Sequence, residues 1–453
     1  MGGEHPAPAR RATHRHGRRR AREVRPGRSA HQCLHGHGRN ARDMNSVMVE
    51  PRVEDIAEKG ESFVALTSSQ AARLQELRFC RVSPTSDSGI WRVTDVTRVG
   101  VVAIDHVRLI VRPKTPLRSL IFMASYSGLQ AEVDDASFAF AADQDLPAAL
   151  ASALVQAVFK ATARGLLKGY VSVEETGTVI RGRWDISRQL KARPGIPVPV
   201  ELTYDDYTED VAENRILKAA LRALVRLEQL PRRVVDKLGP LLGLFSEVTD
   251  LRATGPVLLP AESRLNAHYQ PALRLARWVL EATSWAHAEG ANSGSAFLLN
   301  VAKVYEDFVG RVLQATLRPE GYDVDLQVSD WRLDAEGKIR MRPDIVISRH
   351  GRVVAVADTK YKVWGESDGS PPNADVYQAL AYAVTAGVRE VHLLFVSGDV
   401  EPRRYEIAAT GTTVVAHAVD VSGEPGELVA RVMKLGTSLV SAVALPPGVR
   451  IDR

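Results

Sequence analysis

The sequence predicts a mixed chain, with an α+β module over residues 48–290 and an α/β domain of order αβββαβ over residues 291–453. Three observations lead there. Short apolar alternations and long amphipathic stretches are mixed before residue 290, whereas helix and strand periods follow one another in a fixed order after residue 296. The small, polar segment Gly290–Ser295 separates the two patterns as a linker would. Asp344, Asp358 and Lys360 lie in or beside two consecutive strand-like runs of the second region.

Residues 1–47 belong to neither region. Residues 1–43 hold eleven arginines, no lysine and three acids, a net +8, so with the whole chain at +5 the remaining residues sum to −3. Six of the twelve histidines also sit in this tail, with scattered Pro and Gly and almost nothing apolar. Such a segment buries too little surface to offset its ordering entropy and reads as disordered. It is arginine-rich like a transit peptide but lacks an amphipathic face. It would suit phosphate binding. Because periodic sequence begins only after Met48, translation is expected to start at Met44 or Met48.

Elsewhere the composition is that of a globular protein, 45% hydrophobic and 25% charged. No apolar run reaches the roughly 18 residues a membrane helix needs, so no membrane partner is expected. Cys33 and Cys80 offer neither metal spacing nor a disulfide framework, which fits a reducing, cytoplasmic compartment.

Within 48–125 the chain reads as mostly β with short helices. Val99–Ile104 is a buried strand, Asp105-His106 a turn, and Val107, Leu109 and Val111 alternate with Arg108, Ile110 and Arg112 before Pro113 breaks the run. A helix is expected over Leu117–Tyr126. Residues 145–230 read as mainly helical: Leu150, Leu154 and Val158 mark one buried face, and Leu217, Leu221 and Leu224 another. Thr178–Gln189 between them reads as a strand and a turn. Further helices are expected over 232–247 and 268–288. After the linker come a helix over 296–316, strands over 322–328, 339–348 and 353–361, a loop over 364–373, a helix over 374–387 and a strand over Val391–Val396.

The candidate chemistry lies in the stretch from Arg342 to Lys362, "RPDIVISRHGRVVAVADTKYK". Phosphodiester hydrolysis needs a positioned cation, an activated water and positive charge where the phosphorane gathers negative charge. Mg²⁺ takes oxygen ligands, commonly one or two carboxylates plus waters. Asp358 and Lys360, two apart on a strand, point to one side; Thr359 points to the other, with a backbone carbonyl still able to reach a metal. A two-residue turn at His350-Gly351 would set Asp344 across from Ala357. A three-residue loop His350-Gly351-Arg352, or an equivalent bulge, sets Asp344 opposite Asp358 and Val346 opposite Val356. Only the second register assembles a site in which Asp344 and Asp358 ligate Mg²⁺ beside Lys360.

Pro343-Asp344 followed by Asp358-Thr359-Lys360 within αβββαβ resembles the PD-(D/E)XK nuclease superfamily. The resemblance implies an auxiliary acid on the preceding helix, matched by Glu306. It also implies a Gln-x-x-x-Tyr pair on the later helix, matched by Gln378 and Tyr382. Upstream, "RVGVVAIDHVRLIVRPKTPLRSL", "RGLLKGYVSVEETGTVIRGRWDI" and "DDYTEDVAENRILKAALRAL" resemble the nuclease subunit of McrBC-type, 5-methylcytosine-specific restriction systems, the McrC family. That resemblance implies an endonuclease acting on DNA, docked on an AAA+ GTPase ring whose hydrolysis it stimulates. Methylated-base recognition and GTP binding would belong to the partner. No G-x-x-x-x-G-K-[ST] loop occurs in this chain, in keeping with that division.

Two rival functions follow from the same residues. One is a catalytically silent adaptor that only activates the ring; the intact trio of Asp344, Asp358 and Lys360 argues against it. The other is a stand-alone nuclease of another branch, acting in repair or recombination; an adjacent AAA+ GTPase gene would favour the restriction reading over it. The six histidines beyond the tail form no H-x-x-x-H pair, and no G-x-S-x-G elbow is present.

Overall fold

Alternation of apolar and polar residues organises the described residues into four sheets with helices between them. The computed structural model describes residues 52–128, 145–227, 230–251, 255–288, 296–362, 364, 371–396 and 401–441. The arginine-rich tail and the linker expected at Gly290–Ser295 lie outside the described residues. In chain order the first part comprises β1 (Arg52–Ala57), β2 (Ser62–Ala65), α1 (Ser68–Glu76), β3 (Arg81–Pro84), β4 (Ile90–Thr94), β5 (Val99–Ile104), β6 (Val107–Arg112), α2 (Leu117–Ser125) and α3 (Leu146–Ala161). There follow β7 (Gly169–Gly177), β8 (Arg183–Trp184), α4 (Ile186–Ala192), β9 (Val200–Thr208), α5 (Ala212–Val225), α6 (Arg232–Leu244) and α7 (Gln270–Ala288). The last part holds β10 (Ala296–Leu299), α8 (Val301–Leu317), β11 (Asp323–Leu326), β12 (Ile345–Arg349), β13 (Arg352–Lys360), α9 (Asn373–Ala386), β14 (Glu390–Val396), β15 (Arg403–Ile407), β16 (Thr412–Val419) and α10 (Pro425–Ser441). No helix among the described residues is long and apolar enough to cross a membrane.

The expected β5–β6 hairpin is present, with Asp105 in a left-handed turn conformation. Residues 145–230 depart from the mainly helical expectation. Strands β7 and β9 run antiparallel over nine residues each, and only β8 and the start of α4 occupy Thr178–Gln189. Their sheet is solvated on much of its surface, so its strands are rich in Glu, Asp and Tyr and lack the apolar runs that mark buried strands.

Residues 296–299 also differ from the expectation of a helix. Ala296, Phe297, Leu298 and Leu299 are all buried in a strand that pairs antiparallel with β5, completing the sheet order β1-β6-β5-β10. A buried run of four apolar residues has no period, so strand and helix cannot be told apart from it. Asn300 then caps α8, its side chain accepting a hydrogen bond from the Lys303 amide. The residue opposite Leu298 is Gly100, and a Cβ there would lie 2.0 Å from the Phe297 carbonyl oxygen.

The largest sheet has the order β11-β12-β13-β14-β16-β15. Its two faces are buried differently. Ile345, Ile347, Ala355, Ala357 and Leu394 share a core with Val304, Phe308 and Val312 of α8 and Leu428 and Val432 of α10. Val356, Leu393, Phe395, Val414 and Ala416 pack against Ala379, Tyr382 and Ala383 of α9. This is the helix–strand–strand–strand–helix–strand order expected from the sequence, with β15, β16 and α10 added. The sheet is tied to the upstream elements at the end of β13: Lys114 donates to the Tyr361 carbonyl at 2.9 Å, and the Thr115 and Tyr361 hydroxyls lie 2.7 Å apart.

Two expected outcomes follow. Gly100→Ala combines an unfavourable φ of +138° with a clash against backbone and should lower stability by about 2–4 kcal/mol, measured by denaturant unfolding. His392 on β14 and His417 on β16 are buried with Nδ1 and Nε2 3.1 Å apart, and burial pushes each down to about 3. The unfolded chain therefore binds more protons than the folded one between pH 6.5 and 3. Their contribution is complete above pH 6.5 and is lost as pH falls, by up to about 2.7 kcal/mol per pH unit for two protons. Unfolding measured across that range should show this slope, and His417→Leu should reduce it by about one proton.

Candidate active site

The geometry of the site begins with the turn between β12 and β13. His350 and Gly351 both take positive φ, 52° and 73°, as a two-residue hairpin turn of the right twist requires. Arg349 accordingly faces Arg352 and Ser348 faces Val353. The register then shifts: Ile347 faces Ala355, Val346 faces Val356 and Ile345 faces Ala357. Val354 is the extra residue of a β-bulge. The turn is therefore two residues long, not three, and the bulge restores the register in which Val346 opposes Val356.

Asp344 lies just before β12 and reaches the end of β13. Its Oδ2 accepts from the Thr359 amide at 2.8 Å and from the Thr359 hydroxyl at 2.7 Å. Thr359 thus contributes its N–H and Oγ1 to holding Asp344. Asp358 is 3% exposed, and its Oδ2 lies 2.5 Å from Lys360 Nζ. Lys360 donates to Gln378 Oε1 at 2.7 Å, Gln378 Nε2 donates to the Tyr382 hydroxyl at 2.8 Å, and that hydroxyl donates to the Arg342 carbonyl at 3.0 Å. Glu306, on α8, is close enough to Asp344 and Asp358 to feel both charges. All five side chains singled out from the sequence, Asp344, Asp358, Lys360, Glu306 and Gln378, thus belong to one neighbourhood.

Its electrostatics are those of crowded acids. Burial, then the charges of Asp344 and Asp358, raises Glu306 to about 8. Burial and Asp344 raise Asp358 to about 6, with Lys360 pulling in the other direction. Burial alone would lower the Lys360 ammonium, but Asp358, Asp375 and Asp344 together raise it, so it stays charged at neutral pH. Glu306 Oε1 is buried without a hydrogen-bond partner among the described residues. Mutually repelling carboxylates and an unpartnered oxygen are what a divalent cation with its waters would satisfy. Among the described residues no group of three or more His, Cys, Asp or Glu is placed to hold a metal ion by itself. Asp344 and Asp358 are a pair of carboxylates, and Mg²⁺ is commonly held by one or two carboxylates with waters completing its shell.

Asp375 was missed from the sequence. It is 5% exposed in the first turn of α9, 3.5 Å from Lys360 Nζ and 3.2 Å from Lys362 Nζ. An acid at a helix N-terminus reads as a partner for the helix dipole, and only the packing of α9 against β13 brings it to the two lysines.

Two solved structures are similar to the chain. One is the refined half-complex from a tetradecameric assembly of Thermococcus gammatolerans McrB AAA+ hexamers with bound McrC. The match has 17% identity and a TM-score of 0.49, covering 86% of this chain and 100% of that one. The other is the McrBC complex of the same organism, solved by cryo-EM, at 20% identity and a TM-score of 0.34, covering 58% of this chain and 88% of that one. A comparison with curated proteins returned no match. Residues 94–396 match the family model described as McrBC 5-methylcytosine restriction system component. With the match spanning well over half its length, the chain belongs to the family of McrBC 5-methylcytosine restriction system components.

Proposed function

We propose that this chain is the DNA-cleaving subunit of such a system: a Mg²⁺-dependent endonuclease with a PD-(D/E)XK core, driven by an AAA+ GTPase ring. The observation that carries the proposal is the grouping of Asp344, Asp358, Glu306 and a charged Lys360 at the end of β13, beside Gln378. In this reading residues 291–453 form the nuclease domain and residues 48–290 dock on the ring.

Asp344 and Asp358 would hold Mg²⁺, with the Thr359 carbonyl as a further oxygen. When bound, the ion supplies a water of lowered pKa and positive charge at the scissile phosphate. Thr359 fixes one oxygen of Asp344 through two hydrogen bonds, which leaves the other for ligation. Lys360, held as an ammonium by Asp358, Asp375 and Gln378, stabilises charge on the phosphate and orients the attacking water; it does not act as the base. Gln378 and Tyr382 hold that ammonium in line. Glu306 would keep a second water in place through its unpartnered oxygen.

The upstream module carries a surface suited to a protein partner. Tyr170 and Tyr207 stack as a tilted pair across β7 and β9, each more than half exposed, and Ile186 and Leu190 of α4 are exposed as well. Apolar surface of this kind, held on a sheet apart from the candidate site, supports docking on the ring. GTP is assigned to that partner and not to this chain.

Lys360→Ala and Asp344→Ala are expected to lower cleavage of methylated DNA by roughly 10²- to 10³-fold or more, assayed with the ring protein, GTP and Mg²⁺. Both variants should still dock on the ring and stimulate its GTP hydrolysis. Unaltered cleavage by Lys360→Ala protein would overturn the catalytic assignment and leave an adaptor.

A further inference from the structure

Between β11 and β12 the chain makes an excursion that the candidate chemistry does not use. Met341 donates its amide to the Trp331 carbonyl at 3.0 Å, Leu333 donates to the Ile339 carbonyl at 3.0 Å, and Arg332 and Arg340 face each other in an antiparallel bridge. Residues 331–341 are thus a short hairpin. Asp334 closes its tip by accepting from the Lys338 and Ile339 amides, and Gly337 turns the chain at a φ of +70°.

The register divides the hairpin into two faces. One carries the Trp331–Met341 pair, whose Met341 is buried in the core beneath α9, and then the next pair outward, Leu333 and Ile339. The latter two are 42% and 53% exposed, so an apolar strip continues past the edge of the core into solvent. The other face carries Arg332 opposite Arg340, followed by Arg342. Like charges directly across a strand pair disfavour the pairing, so this arrangement does not serve the hairpin itself. Arg332 is turned onto the Ser329 and Trp331 carbonyls and Arg342 onto Gln327. The Arg340 guanidinium meets no acid or acceptor among the described residues, while the exposed Lys338 ammonium pairs with the equally exposed Glu336 at the tip, a solvated contact that a phosphate can replace. The base of the hairpin joins the candidate site directly, because the Arg342 carbonyl accepts from Tyr382 in the chain that runs through Gln378 to Lys360.

We infer that this hairpin grips the DNA duplex beside the scissile phosphate, with Lys338 and Arg340 on backbone phosphates and Leu333 and Ile339 against the sugar edges. The inference rests on the nuclease reading and adds the surface that positions the duplex. Cations spaced along a protruding ribbon match the repeating charge of a phosphate backbone, and the aliphatic pair suits the apolar deoxyribose edge. The hydrogen-bonded path to Lys360 would hold the gripped strand in register with the cutting residues.

The test uses the full chain carrying Lys360→Ala, so that DNA is not consumed. Binding to a fluorescent methylated duplex of about 30 base pairs is followed by anisotropy from about 50 to 200 mM salt. Adding Lys338→Ala and Arg340→Ala should lower the slope of log affinity against log salt by about 1.8, the loss of two phosphate contacts. Leu333→Ser with Ile339→Ser should weaken binding several-fold while the slope stays as it was. All four positions lie on the exposed hairpin, and an unchanged unfolding midpoint excludes misfolding as the cause. Unaltered affinity and slope in both variants, with the parent still binding, would overturn the hairpin assignment and leave the nuclease reading intact. Failure of the parent to bind duplex would overturn both. Loss of ring stimulation with unchanged DNA binding would assign the hairpin to the protein partner and overturn its role on DNA.

Discussion

The bulge at Val354 is the constraint on which the candidate site depends. A two-residue turn is the tightest way to join β12 to β13, and by itself it would pair Asp344 with Ala357. One extra residue on β13 shifts every partner beyond it and brings Asp344 to the end of the strand that carries Asp358, Thr359 and Lys360. Because side chains alternate along β13, the same shift leaves Ala355 and Ala357 in the core beneath α8 while Val356 and Asp358 face α9. The bulge therefore settles both the packing of the sheet and the grouping of its acids.

Charge is the second organising quantity. Asp344, Asp358, Glu306 and Asp375 gather in one place, where burial makes the ionised forms of Glu306 and Asp358 costly, and the Lys360 ammonium is raised by Asp358, Asp375 and Asp344. Such concentration is a poor way to stabilise a sheet, since a buried ion pair seldom exceeds the desolvation it requires. It is a good way to hold an ammonium in one place and to leave carboxylate oxygens wanting a cation. Helix α9 makes the arrangement rigid, with Asp375, Gln378 and Tyr382 spaced three and four apart along one face of the helix.

The upstream elements meet this site mechanically. Tyr361, the residue after Lys360, is held by Thr115 and Lys114 at the end of β6, and α2 bonds toward α10 through Arg118 and Glu424 at 2.6 Å. Strand β10 lies in the upstream sheet yet leads within two residues into α8, which carries Glu306. The upstream sheet is thus connected by short covalent and hydrogen-bonded paths to both sides of the candidate site.

The pattern of local sequence determined the helix and strand order from α8 to β14, because each element there is long enough to show its period and is bounded by Gly, Pro or Asn. It also determined that Asp358 and Lys360 share a face, since alternation along a strand needs no tertiary information. The spacing left two registers open for Asp344, and the structure realises the second through a bulge whose extra residue, Val354, is an ordinary valine in a run of similar residues. Residues 296–299 became a strand because β5 offers an unpaired edge and Gly100 allows close approach, neither of which is visible in four apolar letters. Strands β7 and β9 escaped notice because a sheet exposed to solvent can be built from charged residues that also favour helices. Asp375 and the hairpin over residues 331–341 were decided by tertiary structure alone: their meaning lies in what α9 and β13 bring beside them, and distance in space between residues far apart in the chain is not written in local sequence.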